Sequence, residues 1–192
     1  MVAAAASLGG CWPSGRYAVD MPPVDPSAAA KKAIELYDKN GDGSLDETEM
    51  AASPAIHAAR DRYDADGNQA ISQDEMATHL SAIYSSGTPW VSVECQVYLD
   101  GKPLRGATVR FVPEEFLKHA LMPASGTTDD EGRAILAVAD EELPADKRGL
   151  QIIQPGPYRV KVEHPSVNQA SAIRGCEIDP TARGGTQPVF HL

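Results

Sequence analysis

The sequence predicts a two-domain chain, an all-α pair of helix–loop–helix units followed by an all-β sandwich. Two acidic twelve-residue loops, each flanked by alanine-rich helix-forming sequence, lie between Ser27 and Tyr84. Ser85-Ser86-Gly87-Thr88-Pro89 then breaks the last helix, and from Trp90 the apolar period changes from helical to two. The resulting boundaries are a leader and tether at 1–25, the helical pair at 26–86 and the sandwich at 90–192. A chain of 192 residues has room for two small domains.

The first loop, Asp38 to Glu49, offers Asp38, Asn40, Asp42, the Ser44 carbonyl, Asp46 and Glu49 at relative positions 1, 3, 5, 7, 9 and 12. Each supplies an oxygen. Calcium takes about 6 to 8 oxygens, and short side chains at alternate positions wrap it while a longer Glu closes with two. Gly43 at position 6 permits the sharp turn, and Leu45 at position 8 is placed to pack between paired loops. The second loop, Asp64 to Glu75, sets Asp64, Asp66, Asn68, the Ala70 carbonyl, Ser72 and Glu75 in the same places, with Ile71 at position 8. It departs in Gln69, where glycine is expected, since a Cβ held at positive φ costs roughly 1 to 2 kcal/mol. Ser72 also replaces the Asp of position 9, so one carboxylate fewer is available. Single Asp/Asn/Gly runs are ordinary turns, but two loops in the same register point to ligation.

This layout resembles a pair of EF-hands, which implies calcium at two sites, the first loop being the tighter. Sensors of this kind open a hydrophobic groove between long helices. Here the loops begin 26 residues apart, Asp38 to Asp64, and large apolar residues are few. Calcium is therefore expected to be structural, and Glu49→Gln to lower thermal stability in calcium with little effect in chelator.

Ser27 is placed to cap the first helix, whose apolar face is Ala30, Ala33, Ile34 and Tyr37. Asp46 with Glu49 and Ser72 with Glu75 have capping-box spacing. Ser53 caps and Pro54 starts a helix with the stripe Ile56, Ala59 and Tyr63, and Met76, Leu80 and Ile83 form the face of the last helix.

Val91, Val93, Cys95, Val97 and Leu99 alternate with polar residues as a half-buried strand, Asp100-Gly101 turns it, and Ala107, Val109 and Phe111 face inward on the next. Glu114 to Leu121 reads as a short helix or lid with Phe116, Leu117 and Leu121 inside. Ala134, Leu136 and Val138 mark a third strand, Tyr158, Val160 and Val162 another, and Val189 to Leu192 a closing one. No clear strand pattern runs from Pro165 to Gln187.

Val97-Tyr98-Leu99-Asp100-Gly101-Lys102-Pro103-Leu104, Gly106 to Glu114, Gly126-Thr127-Thr128-Asp129 with Gly132, and Pro155-Gly156-Pro157-Tyr158-Arg159-Val160 resemble the carboxypeptidase regulatory-like (transthyretin-like) domain of small bacterial envelope lipoproteins. The resemblance implies a prealbumin-like sandwich of seven strands and carries no catalytic residue across. Hydroxyisourate hydrolases of this fold end in Tyr-Arg-Gly-Ser, whereas this chain ends Pro188-Val189-Phe190-His191-Leu192. His57, His79, His119, His164 and His191 are scattered, without G-x-S-x-G, H-E-x-x-H or a phosphate loop. His57 and His79 read as exposed helix residues, and Glu114 and Glu115 as solvated neighbours that face apart. No enzyme is expected; the alternative is an enzyme or peptidase-accessory domain acting through the sandwich.

The net charge of −10 is concentrated in the helical segment, where 26–84 holds 11 acids and 5 bases, against 14 and 11 in 85–192. Without clustered Lys and Arg the chain is a poor candidate for nucleic acid. Leu8-Gly9-Gly10-Cys11 after an apolar stretch resembles the lipobox of bacterial lipoproteins, although no basic n-region precedes it. It implies an envelope protein whose membrane contact is a lipid at Cys11, against the alternative of an alanine-rich leader with an incidental cysteine. With Cys11 so used, Cys95 and Cys176 remain, either as a disulfide in an oxidising compartment or as buried free thiols. The expected partner is an envelope protein or glycan that the sequence does not name.

Overall fold

Leu45 and Ile71, the apolar residues at position 8 of the two loops, join the loops by their main chains. The structure is a computed structural model that describes residues 21–168, 172–182 and 187–192. In it β1 (Ser44–Leu45) and β2 (Ile71–Ser72) pair antiparallel with Leu45 opposite Ile71, both fully buried. Around this ladder stand α1 (Pro26–Tyr37), α2 (Glu47–Met50), α3 (Pro54–Ala58), α4 (Arg60–Tyr63) and α5 (Gln73–Ser85). Helices of four or five residues cannot cover one another's apolar faces, so they borrow the core of the β strands that follow. The division into an all-α and an all-β part is thereby corrected. The chain has mixed α and β structure, with five short helices and three sheets among the described residues.

Those strands are β3 (Glu94–Leu99), β4 (Lys102–Pro103), β5 (Thr108–Pro113), β6 (Ala124–Thr127), β7 (Arg133–Ile135), β8 (Ala137–Val138), β9 (Gly156–Glu163), β10 (Ile173–Ile178) and β11 (Val189–His191). One sheet runs β10-β9-β5-β6-β8, antiparallel throughout. In the other, β3 pairs antiparallel with β4 and β7 and parallel with β11. Nine strands thus replace the expected seven. One of the added breaks falls at Leu136, whose amide donates to the Val93 carbonyl at 2.9 Å. The stretch read as one strand passes there from the sheet of β3 to the sheet of β6, keeping Ala134, Leu136 and Val138 buried in both.

Phe111 of β5 meets Phe190 of β11 with ring centroids 6.0 Å apart, so the two sheets enclose a common core. The inward positions of β5 and β9 are fully buried, as alternation predicts. Asp100 and Gly101, both at positive φ, make the turn into β4. β10, which the sequence pattern did not reveal, has Cys176, Glu177 and Ile178 all buried because helices cover its second face. At Gly175 a Cβ would lie 1.7 Å from the Pro54 carbonyl oxygen, so α3 rests directly on that strand. One cluster of buried side chains runs from Ala30 and Leu80 of the helices to Phe111 and Val162 of the strands.

Two caps differ from expectation. Asp25, not Ser27, caps α1, accepting from the Ser27 and Ala28 amides, with Pro26 in the first helical position where no donor is needed. Ser53 makes no side-chain cap, and the Ala55 amide instead donates to Glu114 Oε1 at 2.9 Å, 59 residues along the chain. Glu114 is thus fully buried rather than solvated, because it finishes a helix of the other half. Phe116 and Leu117 lie on a single 3₁₀ turn, Glu115–Leu117, with Phe116 edge-on to Tyr37.

Candidate metal centre

Each loop is wired by the same set of main-chain hydrogen bonds at the same relative positions. The Asp at position 1 accepts from position 4 and position 6: Gly41 and Gly43 donate to Asp38 at 2.6 and 2.9 Å, Gly67 and Gln69 to Asp64 at 2.8 and 2.9 Å. The side-chain oxygen at position 3 accepts from position 5, Asp42 to Asn40 and Asn68 to Asp66. That at position 5 accepts from position 7, Ser44 to Asp42 and Ala70 to Asn68. These short links bend both loops in the same way, but among the described residues only the second loop gathers three carboxylates, Asp64, Asp66 and Glu75, and the acids of the first loop form no such group.

The Glu at position 12 closes both rings. Glu49 Oε1 accepts from the Lys39 and Asn40 amides at 2.7 and 3.1 Å, and Glu75 Oε1 from Ala65 and Asp66 at 2.9 and 3.3 Å. Their Oε2 atoms accept from the Asp46 and Ser72 amides, completing the capping boxes of α2 and α5. Glu49 is nearly buried, so Glu49→Gln exchanges an acceptor for a donor against the Asp46 amide even without metal. The expectation of little effect in chelator is corrected accordingly.

At position 6 Gly43 has φ 89° and Gln69 φ 71°, so the glutamine takes the left-handed conformation that the loop demands. The backbone at this position is strained in the second loop, where the residue carries a Cβ, and unstrained at Gly43 in the first.

Electrostatics set the ligand positions apart. Ligand atoms of Asp64, Asp66 and Glu75 all lie within 4.8 Å of one another. Like charges about 4 Å apart repel by about 1 kcal/mol per pair even in water. Among the described residues, none of Asp38, Asp42, Asp46, Glu49, Asp64, Asp66 or Glu75 is ion-paired with a basic side chain. Of the nearby acids outside the ligand positions, Glu35 is paired with Lys31, Glu47 with Arg60 and His57, and Asp61 with Arg60, whereas Asp74 beside Glu75 has no ion pair among the described residues. The Ser44 hydroxyl and amide hold the Asp42 carboxyl below its usual range. Burial would raise Glu75, but the bonds from Ser72, Ala65 and Asp66 outweigh it and lower it. Such groups stay charged at neutral pH. An all-oxygen set of carboxylates, amides and carbonyls fits a hard divalent ion better than a soft one.

No protein-family model matches the chain, and no curated protein is significantly similar to it.

The remaining predicted site residues fall elsewhere. Cys11 lies outside the described residues. Cys95 and Cys176 sit on strands of different sheets as buried free thiols, with burial pushing both up to about 12. Of the histidines, His57 is exposed and bonded to Glu47, but His79 is mostly buried against Glu177. Sequence reasoning also missed Arg62, Glu177 and Asp179, which join α4 and α5 to β10. No local pattern marks them, since their partners are about a hundred residues away.

Proposed function

We propose that the chain is a calcium-binding protein of the cell envelope in which calcium rigidifies an EF-hand-like pair of loops attached to a two-sheet interaction module. Asp38, Asn40, Asp42, the Ser44 carbonyl, Asp46 and Glu49 would hold one ion. Asp64, Asp66, Asn68, the Ala70 carbonyl, Ser72 and Glu75 would hold the other, more weakly. What supports this reading above all is that two loops of different sequence repeat one hydrogen-bond scheme at the same relative positions, and that in the second loop it gathers Asp64, Asp66 and Glu75. Calcium bound there would neutralise those charges and tie together elements that lie in one core.

What supports a structural role is that the buried faces of α1 and α5 belong to one core shared with the β strands, so opening a groove between them would break that core. Calorimetric titration of the full chain with calcium, beside melting in calcium and in chelator, tests this. Two binding events and a raised melting temperature are expected. A folded chain that shows neither heat nor a melting shift overturns it. The envelope location rests on the lipobox-like Leu8-Gly9-Gly10-Cys11 and is tested separately, by mass spectrometry of the mature N-terminus for acyl chains.

A further inference from the structure

Glu177 of β10 has a side chain with no exposure, and both helices that flank the second loop reach it. Arg62 Nη2, on the helix entering the loop, lies 3.2 Å from Glu177 Oε1, and His79 Nε2, on the helix leaving it, lies 2.9 Å from the same oxygen. Arg62 Nη1 also reaches Asp179 Oδ2 at 3.8 Å, and Asp179 Oδ1 is fixed by the Thr181 amide and hydroxyl. Tyr63, between Arg62 and the first ligand Asp64, packs its ring on His79 with centroids 4.2 Å apart. His79, Glu177 and Asp179 also bring their ligand atoms within 4.8 Å. The Arg62 guanidinium already supplies positive charge to both carboxylates, so the group reads as a clasp and not as a cation site.

We infer that Glu177 is a positioning residue for the second loop. Arg62 is two residues before Asp64 and His79 four after Glu75, so one buried carboxylate fixes the angle between the helices that carry the first and last ligands. The helices can then no longer splay, and the ligands stay gathered before any ion arrives. Less ordering remains to be done on binding, which raises affinity without a new contact to the metal. The clasp offsets the strain at Gln69 and the missing carboxylate at Ser72. The first loop is held differently: its entering helix leans on Phe116 through Tyr37, and its leaving helix is tied by Glu47 to His57 and Arg60 and, at the Ala52 carbonyl, to Arg159 of β9 beside buried Glu114, so among the described residues no single carboxylate is bonded to both of its helices.

This inference rests on the calcium reading, and the test separates the two. Full-length chain carrying Glu49→Gln, which silences the first loop, is titrated with calcium by calorimetry, with and without Glu177→Gln. Loss of the clasp is expected to weaken the second loop by about five- to 150-fold, the usual range for coupled sites. The same change in a Glu75→Gln background, which reports the first loop, is expected to alter affinity less than about twofold. His79→Gln is run in parallel because it frees only the leaving helix, and far-UV circular dichroism in chelator identifies the folded variants. Unchanged affinity of the second loop in folded Glu177→Gln or His79→Gln chains overturns the inference alone. Equal weakening of both loops also overturns it, since that is what general loosening would do. A folded Glu49→Gln parent that takes up no calcium overturns the inference and the second site with it, and an unaltered chain that takes up none overturns the whole calcium reading.

Discussion

The first loop closes on a helix of four residues and the second on one of thirteen. The first carries four carboxylates and a glycine at position 6, the second three carboxylates and a strained glutamine. By charge count the first is the stronger site, whereas by scaffold the second is the better held, with both of its helices clasped to β10. The difference teaches that ligand inventory and ligand positioning are supplied by different parts of the molecule. Inventory is local to the loop, and positioning comes from a strand about a hundred residues away.

The largest effect is expected where the two loops meet. Leu45→Ala and Ile71→Ala each remove a fully buried side chain and should destabilise by about 2 to 5 kcal/mol, read in urea melts. Because the two residues are opposite each other in the ladder, the double variant should fall short of the sum of the singles. Additive losses, or a calcium affinity that changes only in the altered loop, would show the loops to be independent.

Next come the closing glutamates. At calcium about 100 times the dissociation constant, a bound site contributes about 2.7 kcal/mol, and Glu49→Gln or Glu75→Gln should each remove that share at its own loop. Glu49→Gln should also destabilise in chelator, by about 1 to 3 kcal/mol, through the Asp46 amide left facing a donor. Equal melting of Glu49→Gln and the parent chain in chelator would contradict the hydrogen bonding described for the metal-free loop.

A smaller effect tests position 6 directly. Gln69→Gly should stabilise by up to about 1 to 2 kcal/mol and bring the second loop nearer the first, while Gly43→Gln should do the reverse to the first loop. Melting temperatures that move in the same direction for both would remove strain as the source of the difference.

The smallest effect is expected at Glu114, which stands at no ligand position of either loop. Burial raises the Glu114 carboxyl above its ordinary 4.5, while the Ala55 amide and Arg159 pull it back. A raised folded value means that this group's stabilisation is fully present below pH 4.5 and is lost as pH rises through the raised value. Glu114→Gln keeps an acceptor for the Ala55 amide and should flatten that pH dependence, measured by chelator melts across acid to neutral pH, without altering calcium affinity at the second loop. A steeper dependence in the variant would reverse the assigned sign.

The ligand positions, the two capping boxes, the Asp100-Gly101 turn and the inward faces of β5 and β9 were legible because each depends on spacings of a few residues. Ser53 failed as a cap and Glu114 as a solvated residue for one reason, since the Ala55 amide that Ser53 would have capped is taken by Glu114, 59 residues further along the chain. The stretch of β10 hid its pattern because Gly175 and Glu177 face helices rather than water.

By itself the sequence determined how each loop bends and which oxygens stand at which positions, because register and turn chemistry are properties of twelve consecutive residues. Only the tertiary structure decided that the helices would lean on strands, that Leu136 would divide a strand between two sheets, and that Glu177 would grip both sides of the second loop. Short alanine-rich helices have too little apolar surface to close a core of their own. Where they rest depends on contacts between residues far apart in the chain, which local periodicity does not encode.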